Sequence, residues 1–532
     1  MLPIFAALVM MTGFRMAPGK AIPAALAICV VFAVALWRVD IAAVTGAVIS
    51  GSYKSLDIIM TIFGAVLLLN TLKKGNAVAT INKSFNSVSR DSRIQILLVA
   101  WLFSGFIEGA AGFGAASALA APILTGLGVP AMTAVCVSLI CNTLAVPFGA
   151  VGIPLITTIT TLGDNISRTG ASQEQFSASV INCLTAISGL SGLFVPFVAV
   201  AFAVMTTPGN RKMRSIIEIL PLSLFAAAVY ILPWRCCALK LGPELAAMMG
   251  AMIGIPLMLA AIKFKFLVPK YVWSAGSTHH HSDIRNPVTV PEYKAWAPYA
   301  ALAAILLISR LPALPVRSII SSAPTFDLPE LFNVRGTAVK WNLTGNPGVM
   351  PFCVISAVTA LWWKISAKDF CLLVKDTAKQ ISGAAAAIAS SVALVTVMVI
   401  SRSNGADIPG MPDAVAEALS KLMGKYFIIG SPFIGSLGTF FAGSCTVSNI
   451  LFVQLQFDTA SMLKLPECII VALQNIGGGI GSMIRLSGVI ATCATVNLIG
   501  KEGKIILFTA VPLMIFNILA LIATAVLWKY LL

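Results

Sequence analysis

The chain has 532 residues, of which 58% are hydrophobic and only 11% are charged. Soluble globular proteins carry about 25% charged residues, so this composition excludes an ordinary soluble protein. The formal net charge of +16 would suit a nucleic-acid partner in a soluble protein, but the basic residues here lie in short connectors between apolar runs. We therefore expect an all-α polytopic membrane protein that contacts the lipid bilayer and no nucleic acid.

Apolar runs follow one another along the whole chain. They lie near residues 21–37, 56–72, 94–107, 129–146, 176–206, 215–233, 244–262, 297–309, 346–363, 381–400, 426–442, 466–476, 484–499 and 505–528. Several are shorter than the ~20 residues that a ~30 Å hydrocarbon core requires, and the short runs adjoin clusters of glycine. We predict about 11 to 13 transmembrane helices and two re-entrant hairpins. Arg15 and Lys20 follow the first apolar residues, which predicts no cleavable signal peptide and a first helix that is interfacial or truncated.

Four connectors are rich in lysine and arginine, namely 73–93, 211–214, 263–294 and 364–379. They fall on one side of the membrane if single crossings separate them from the connectors 163–175, 234–243, 310–345 and 401–425. The positive-inside rule makes that side cytoplasmic, although two of the opposite connectors also carry positive charge. We therefore expect a multi-pass protein of a plasma membrane, of the bacterial inner-membrane type.

A polar, glycine-dense segment occurs twice in these apolar surroundings. Each copy contains, in the same order, a small-residue hairpin, a proline, an apolar run, an asparagine and a glycine-rich break; the copies lie at 105–154 and 438–499. Only a water-lined cavity tolerates irregular backbone at membrane depth, and paired interrupted segments indicate a transporter's binding site. We predict two inverted repeats with broken helices, in a first membrane half (1–262) and a second (297–532) joined by a cytoplasmic connector (263–296).

Glu108 is the only acidic residue between Asp91 and Asp164. A carboxylate near the bilayer centre costs ~2.5 to 3.5 kcal/mol, so such a residue usually faces a cavity. Removal from water favours the neutral carboxyl, and we expect Glu108 to carry a proton during transport. The alternative is a structural carboxylate that accepts hydrogen bonds from the glycine-rich backbone around it.

The glycines of the first hairpin allow two interpretations. Gly105 and Gly109 have the small-xxx-small spacing that brings helices together. With Gly112 and Gly114, they would also let the chain turn at membrane depth and direct backbone N–H groups at an anion. The second interpretation assigns Gly112 to a binding site.

The second hairpin concentrates polar groups at Ser444, Thr446, Ser448 and Asn449. Hydrogen bonds to the backbone of their own helix would explain one or two hydroxyls, but four polar residues in six positions favour a polar lining.

Three further polar residues, Asn142, Thr143 and Asn475, end apolar runs, where they would bind a small carboxylate or, alternatively, cap helices. The guanidinium of Arg485 would anchor a carboxylate, unless it reaches the cytoplasmic interface from a helix end.

Eleven cysteines are scattered, mostly in apolar runs, without a CxxC spacing, and we interpret them as packing residues. The three histidines, His279–His281, are consecutive in a polar connector, so no predicted helix offers a histidine for haem, zinc or catalysis. Gly189–Gly192 is similar to the serine motif of intramembrane proteases, but Ser191 lacks a histidine base and is expected to pack within its helix. We expect no cofactor, no metal site and no enzyme activity.

Several of these segments together resemble the L-lactate permease family, which includes glycolate permeases. The resemblance extends over nearly the whole chain and rests on residues 106–114, 126–128, 142–143, 148–154, 242–245, 431–433, 443–444, 448–449 and 500–502. It implies an inner-membrane carrier of many helices that imports lactate and related 2-hydroxymonocarboxylates together with protons.

The chain departs from the family pattern at two charged positions. The pattern Gly-Ser-Asp-Thr-Ser-Ser-Asn corresponds to 443–449, where Cys445 replaces the aspartate. The pattern Gly-Lys-Met-Ile-Ser-Pro-Gln-Ser corresponds to 481–488, where Ser482 replaces the lysine. Arg485 would supply the missing positive charge.

The residues and the resemblance predict a secondary active transporter that imports lactate, glycolate or a related 2-hydroxymonocarboxylate, by proton symport. The predicted substrate-binding residues are Gly112, Asn142, Thr143, Ser444, Thr446, Ser448, Asn449, Asn475 and Arg485, with Glu108 as the proton-coupling residue. The alternative function is an accessory subunit of a membrane complex, with a carrier-like fold but no transport of its own. A membrane-embedded enzyme is disfavoured, and the sequence does not decide between proton and sodium coupling.

Overall fold

The computed structural model describes residues 6, 9–10, 16, 18–77, 80, 88–112, 114–207, 213–275, 290–308, 326–333, 338–341, 350–498 and 501–531. Helices dominate this part of the chain. It also holds one antiparallel ribbon, in which β1 (Phe326–Leu328) pairs with β2 (Val339–Trp341). Apart from this ribbon, the fold is that of an all-α polytopic membrane protein. His279–His281 and most of the 310–345 connector lie outside the described residues.

The helices of the first half begin and end at prolines, glycines and capping residues. They are α1 (Pro18–Ala35), α2 (Ile41–Lys54), α3 (Leu56–Lys74), α4 (Ser92–Ile96), α5 (Ser104–Ala111), α6 (Ala115–Gly126), α7 (Ala131–Cys141), α8 (Gly149–Leu162), α9 (Gln173–Gly192), α10 (Val195–Thr206), α11 (Met213–Lys240) and α12 (Pro243–Lys263). A π-helical segment, Leu97–Phe103, joins α4 to α5. Short 3₁₀ segments, Val146–Phe148 and Gly163–Thr169, precede and follow α8.

The second half is built in the same way. Its helices are α13 (Glu292–Ile308), α14 (Met350–Trp362), α15 (Ala367–Ile400), α16 (Met411–Met423), α17 (Phe427–Ala442), α18 (Cys445–Met462), α19 (Glu467–Gly481), α20 (Leu486–Thr495) and α21 (Glu502–Leu531). The long helix α15 also packs against α1 and α2 of the first half.

Six helical segments of the described residues are long and apolar enough to cross a membrane, judged by length and composition. They are Ser92–Ala111, Gln173–Thr206, Met213–Lys240, Pro243–Lys263, Ala367–Ile400 and Glu502–Leu531. The pair α7 and α8, bent by 64°, makes a seventh if it forms one span. Four further apolar helices, α1, α6, α14 and α19, are shorter. The total number of spans stays a prediction, because length and composition alone do not define it.

Both predicted hairpins and both predicted broken helices are present. Gly112 and Gly114 lie between α5 and α6, and Gly443 and Ser444 lie between α17 and α18. Gly112 (φ +62°) and Gly443 (φ +67°) have left-handed backbone conformations, which a glycine adopts without steric cost. The first broken helix is interrupted between α7 and α8, and the second between α19 and α20.

The two repeats, α5–α9 and α17–α21, contact each other reciprocally. Helices α6, α7, α8 and α9 of the first repeat correspond to α18, α19, α20 and α21 of the second. Helix α8 packs against α18, and correspondingly α20 packs against α6. Helix α9 packs against α19, and correspondingly α21 packs against α7. This exchange of equivalent contacts is the relation expected of two repeats about a pseudo-two-fold axis.

Two pairs of cysteines show which parts of the broken helices lie together. Cys136, in the middle of α7, belongs to the same buried cluster as Cys493, near the end of α20. At the other end of the bundle, Cys468 at the start of α19 lies 3.9 Å, sulfur to sulfur, from Cys183 of α9, the helix that follows α8. The first broken helix therefore lies beside the end of the second, and the second begins beside α9, the helix that follows the first.

The four basic connectors meet on one face of the molecule. Arg93 donates to the carbonyl oxygens of Ser215 (2.8 Å), the residue after the connector 211–214, and of Tyr271 (2.5 Å), in the connector 263–294. Lys74 lies 3.9 Å from Asp369 of the fourth. We call this surface the basic face. These contacts bring the connectors, or the helix ends beside them, together; that they share one side of a membrane stays a prediction.

Candidate functional site

The first hairpin and the first broken helix meet at Glu108. Glu108 lies on the last turn of α5 with 2% of its surface exposed, and Asn142 directly follows α7. The Asn142 Nδ2 atom donates a hydrogen bond of 3.0 Å to Glu108 Oε2. The two sequence-predicted residues are therefore in direct contact, and Asn142 is more than a helix cap.

Small residues let the backbone close around this carboxylate. A Cβ atom on Gly149 would lie 2.9 Å from Glu108 Oε1, and one on Gly112 would lie 2.7 Å from the Cβ of Ala150. Ala150 and Val151 have positive φ angles of 43° and 61°, which side chains with a Cβ rarely adopt. Such conformations cost about 1–3 kcal/mol each and persist where the surroundings enforce them, often at functional sites.

Arg485 lies where α20 begins, beside the turn of the first hairpin. Only 4% of it is exposed, so the predicted alternative of an interfacial arginine is excluded. Its guanidinium lies against two glycines: a Cβ on Gly114 would collide with Nη2, and one on Gly488 would lie 2.9 Å from Nε. The Arg485 Nε is buried without a hydrogen-bond partner in the described part of the chain. The hairpin turn thus lies between a buried cation and the first broken helix.

Glu108 and Arg485 interact electrostatically. They form no direct ion pair, because among the described residues no carboxylate oxygen lies within 4 Å of the Arg485 nitrogens. Cys445, at the start of α18, lies within electrostatic reach of both charges. These three residues connect the two hairpins and the second broken helix in one buried region.

The second repeat contributes a buried network of amides. Asn449 Nδ2 donates to Asn475 Oδ1 (2.7 Å) and to the carbonyl oxygen of Pro154 (3.1 Å). Thr158 of α8 donates to the same Asn475 oxygen over 3.0 Å. Asn475 lies inside α19, so the predicted alternative of a helix cap does not apply to it. The network fastens the second hairpin to the first broken helix.

Two glutamines extend this network, and we did not select them from the sequence. Gln474 Nε2 donates to Ser448 Oγ (3.2 Å) and Asn449 Oδ1 (3.3 Å). Gln456 bonds to Gln474 and to Ser431. The available signal was the presence of uncharged amides within apolar runs, since polar side chains at membrane depth tend to bond across helices.

The predicted hydroxyl groups have different roles. Ser444 caps α18 by accepting from the Val447 N–H over 3.5 Å, and Ser448 donates to the carbonyl oxygen of Gly435 over 3.2 Å. Thr143 donates to the carbonyl oxygen of Ile140 over 3.0 Å. Thr446 is buried in the first turn of α18. These hydroxyls line the region, but the first three already have partners.

The two positions that depart from the family pattern lie on one helix contact. A Cβ on Gly478 of α19 would lie 2.8 Å from the Cys445 sulfur. Ser482 follows Gly478 by one helical turn and is also buried, without a partner for its Oγ among the described residues. Position 482 therefore lies one turn of α19 beyond the residue that contacts Cys445.

A second cluster of charges lies away from this region, and sequence reasoning missed it. Arg402 donates to Asp413 (2.8 Å), Asp458 (2.8 Å) and Asn165 (2.9 Å). Asp458 in turn accepts from Gln454 over 2.9 Å. The cluster ties α16 and α18 to the segment after α8, and it joins the connectors 163–175 and 401–425 that we expected to share a side.

Other sequence predictions are resolved more simply. Ser191 donates to the carbonyl oxygen of Ile187 over 2.9 Å, as expected of a residue that packs within its helix.

Known relatives of the chain are permeases. A family model described as L-lactate permease matches residues 1–532. The chain is 29% identical over 529 residues to the L-lactate permease of Bacillus subtilis. This alignment covers 91% of this chain and 87% of that protein. The chain is also 26% identical over 477 residues to the glycolate permease GlcA of Escherichia coli K12. That alignment covers 86% of this chain and 81% of the permease.

A solved structure is also similar. The crystal structure of the YdaH transporter of Alcanivorax borkumensis matches with a TM-score of 0.44 and 10% identity, over 90% of this chain and 87% of that one. The match of the permease family model over the full length of the chain decides its classification. The chain belongs to the L-lactate permease family, whose members are membrane transporters and not enzymes.

Proposed function

We propose that the protein is a secondary active transporter that imports lactate, glycolate or a related 2-hydroxymonocarboxylate together with protons. The names of its relatives support this substrate class. The observation that carries the proposal is the buried Arg485, whose Nε has no partner among the described residues. A buried guanidinium nitrogen without an acceptor is costly, and a carboxylate matches the guanidinium fork in charge and geometry.

In the proposed bound state, the substrate carboxylate lies between Arg485 and the hairpin turn at Gly112. The helices α6 and α20 both begin beside the Arg485 guanidinium. Helix N-termini present free N–H groups and a positive dipole end, so both would favour an anion there.

Side chains from both repeats would form the wall around the substrate. Asn142 and Thr143 contribute from the first repeat. The polar side of the second consists of Ser444, Thr446, Ser448, Asn449 and Asn475.

Charge balance is the physical reason to propose proton symport. The empty site holds one negative group, Glu108, and one positive group, Arg485, so its net charge is zero. Binding a monocarboxylate alone would make the site negative, and protonation of Glu108 would return it to zero. A neutral loaded site lowers the cost of moving the substrate through a medium of low dielectric constant.

The membrane orientation is part of the same proposal. The basic face would lie in the cytoplasm of a bacterial-type inner membrane, with the halves 1–262 and 297–532 each supplying one inverted repeat. The connector 263–296 would then be cytoplasmic.

Reconstitution of the purified full chain into liposomes tests the proposal. We expect radiolabelled lactate to accumulate when the outside is more acidic than the inside, and a protonophore to abolish that accumulation. A sodium gradient without a pH gradient should drive none. Liposomes that accumulate and exchange no 2-hydroxy acid under any gradient would instead favour the accessory-subunit alternative.

A further inference from the structure

One acceptor next to the proposed site has no donor. The Oδ1 atom of Asn142 is buried without a hydrogen-bond partner in the described part of the chain, and only 2% of this residue is exposed. A buried acceptor that lacks a donor costs about 1–3 kcal/mol. A ligand that donates a hydrogen bond there would remove this cost.

The orientation of the Asn142 amide follows from its neighbour. An ionised carboxylate only accepts hydrogen bonds, so the amide must present its NH₂ group to Glu108, as it does in the 3.0 Å contact between Nδ2 and Oε2. A proton on Glu108 Oε1 would leave Oε2 free to accept as before. The Asn142 Nδ2 therefore keeps its hydrogen bond to Glu108, and Oδ1 is the atom that can accept a hydrogen bond from a ligand.

This geometry changes the role that the sequence suggested for Asn142. An amide oxygen repels a carboxylate, so Asn142 is unsuited to hold the charged end of the substrate. That end fits Arg485, which offers donors only. A ligand with one acceptor group and one donor group would satisfy both unpaired atoms, Arg485 Nε and Asn142 Oδ1.

We propose that Asn142 is a specificity-determining residue that accepts the hydrogen bond of the substrate's 2-hydroxyl group. This assignment rests on the proposed transport of small monocarboxylates. A 2-hydroxy acid satisfies both unpaired atoms. An unsubstituted acid such as propionate leaves Oδ1 unpaired, and a 2-oxo acid such as pyruvate places a second acceptor against it.

Competition on the unaltered protein tests the assignment first. The full chain is reconstituted into liposomes preloaded with lactate, and the counterflow of radiolabelled lactate is measured with unlabelled glycolate, pyruvate or propionate outside. We expect glycolate to compete well, and pyruvate and propionate to need concentrations about 10- to 100-fold higher, as the loss of one buried hydrogen bond predicts. Equal competition by all three acids would overturn the proposal.

The variant Asn142→Leu, similar in size, tests the residue itself. We expect it to lose the preference for lactate over propionate while still exchanging propionate. Tyr230→Phe is the matched control, because it also removes a buried, unpartnered hydrogen-bonding group in electrostatic reach of Glu108, and we expect it to keep the preference. A lactate-to-propionate ratio in Asn142→Leu equal to that of the unaltered protein would overturn the assignment.

The two proposals fail in different ways. If the unaltered protein shows no counterflow of any monocarboxylate, the transport function itself is wrong. If it carries them all without preference, transport stands and only the role of Asn142 is rejected. Should Asn142→Leu fail to fold, the competition series on the unaltered protein still decides.

Discussion

Arg485 and Glu108 are buried in the same region without forming a direct ion pair. Two other arginines of the described structure behave differently: Arg93 lies 2.6 Å from Asp91, and Arg402 lies 2.8 Å from Asp413. Arg93 and Arg402 are held by carboxylates of the chain itself, and they tie connectors together. Arg485 lacks such a partner, so a carboxylate from outside the chain can take that place. The following predictions test this relationship and its surroundings.

Replacing Glu108 by glutamine should separate uphill transport from exchange. Glutamine keeps a carbonyl oxygen that can accept from Asn142, but it cannot release or take up a proton. We expect Glu108→Gln to lose the accumulation of lactate driven by a pH gradient while lactate–lactate exchange remains measurable. Glu417→Gln, at an exposed ion pair with Lys421, is the control and should accumulate lactate normally. Accumulation by Glu108→Gln at the unaltered level would reject the proton role.

The glycine against the Arg485 guanidinium should be essential for substrate affinity. Gly114→Ala would push a Cβ into Nη2 and displace the cation. Gly128→Ala is a matched control, since both glycines have positive φ (85° and 92°), but nothing lies within 4 Å of a Cβ at position 128. Each alanine costs about 1–2 kcal/mol of backbone strain. We expect the KM for lactate to rise at least about tenfold in Gly114→Ala but not in Gly128→Ala, because only the former loses a charge-assisted contact between Arg485 and the substrate. Equal KM values in both variants would contradict this expectation.

The charge cluster around Arg402 should contribute to stability. Arg402→Met would remove the ion pair of Arg402 with Asp458, whose side chain is only 3% exposed. Breaking a buried pair in this way typically costs about 3–5 kcal/mol. We expect the Tm of the purified protein to fall by several degrees, whereas Lys421→Met at an exposed pair should leave it nearly unchanged. Indistinguishable Tm values for the two variants would show that the cluster stabilises little.

The two departures from the family pattern should be coupled. Cys445→Asp would place a carboxylate within electrostatic reach of Arg485, where it would compete with the substrate. Ser482→Lys would supply a cation across the same contact between α18 and α19. We expect Cys445→Asp alone to weaken lactate uptake about tenfold or more, and the double variant to recover most of it. Additive losses in the double variant would argue against this coupling.

Much of the site was predictable because polar groups and glycines are costly in apolar runs. Glu108, Asn142 and the two hairpins stand out from their surroundings for that reason, and the structure brings the first two into contact. The partners themselves were not predictable. Nothing in the sequence indicates that Thr158 bonds to Asn475, 317 positions away, or that Arg402 bonds to Asn165, 237 positions away. Such contacts depend on how the two repeats pack, which local spacing does not encode.

The burial of Arg485 could not be predicted from the sequence either. An arginine between a glycine run and an apolar stretch fits a helix end at the membrane surface as well as a buried anchor. Two glycines from different repeats, Gly114 and Gly488, make room for its guanidinium, and their convergence is a property of the folded chain.

Calorimetric titration of the purified protein with lactate tests the central claim most directly, with Arg485→Gln compared to the unaltered chain. We predict saturable binding by the unaltered chain and no detectable heat of binding by Arg485→Gln, although the variant remains monodisperse with an unchanged circular dichroism spectrum. Equal affinity in both proteins would contradict the account, because the carboxylate would then be held elsewhere.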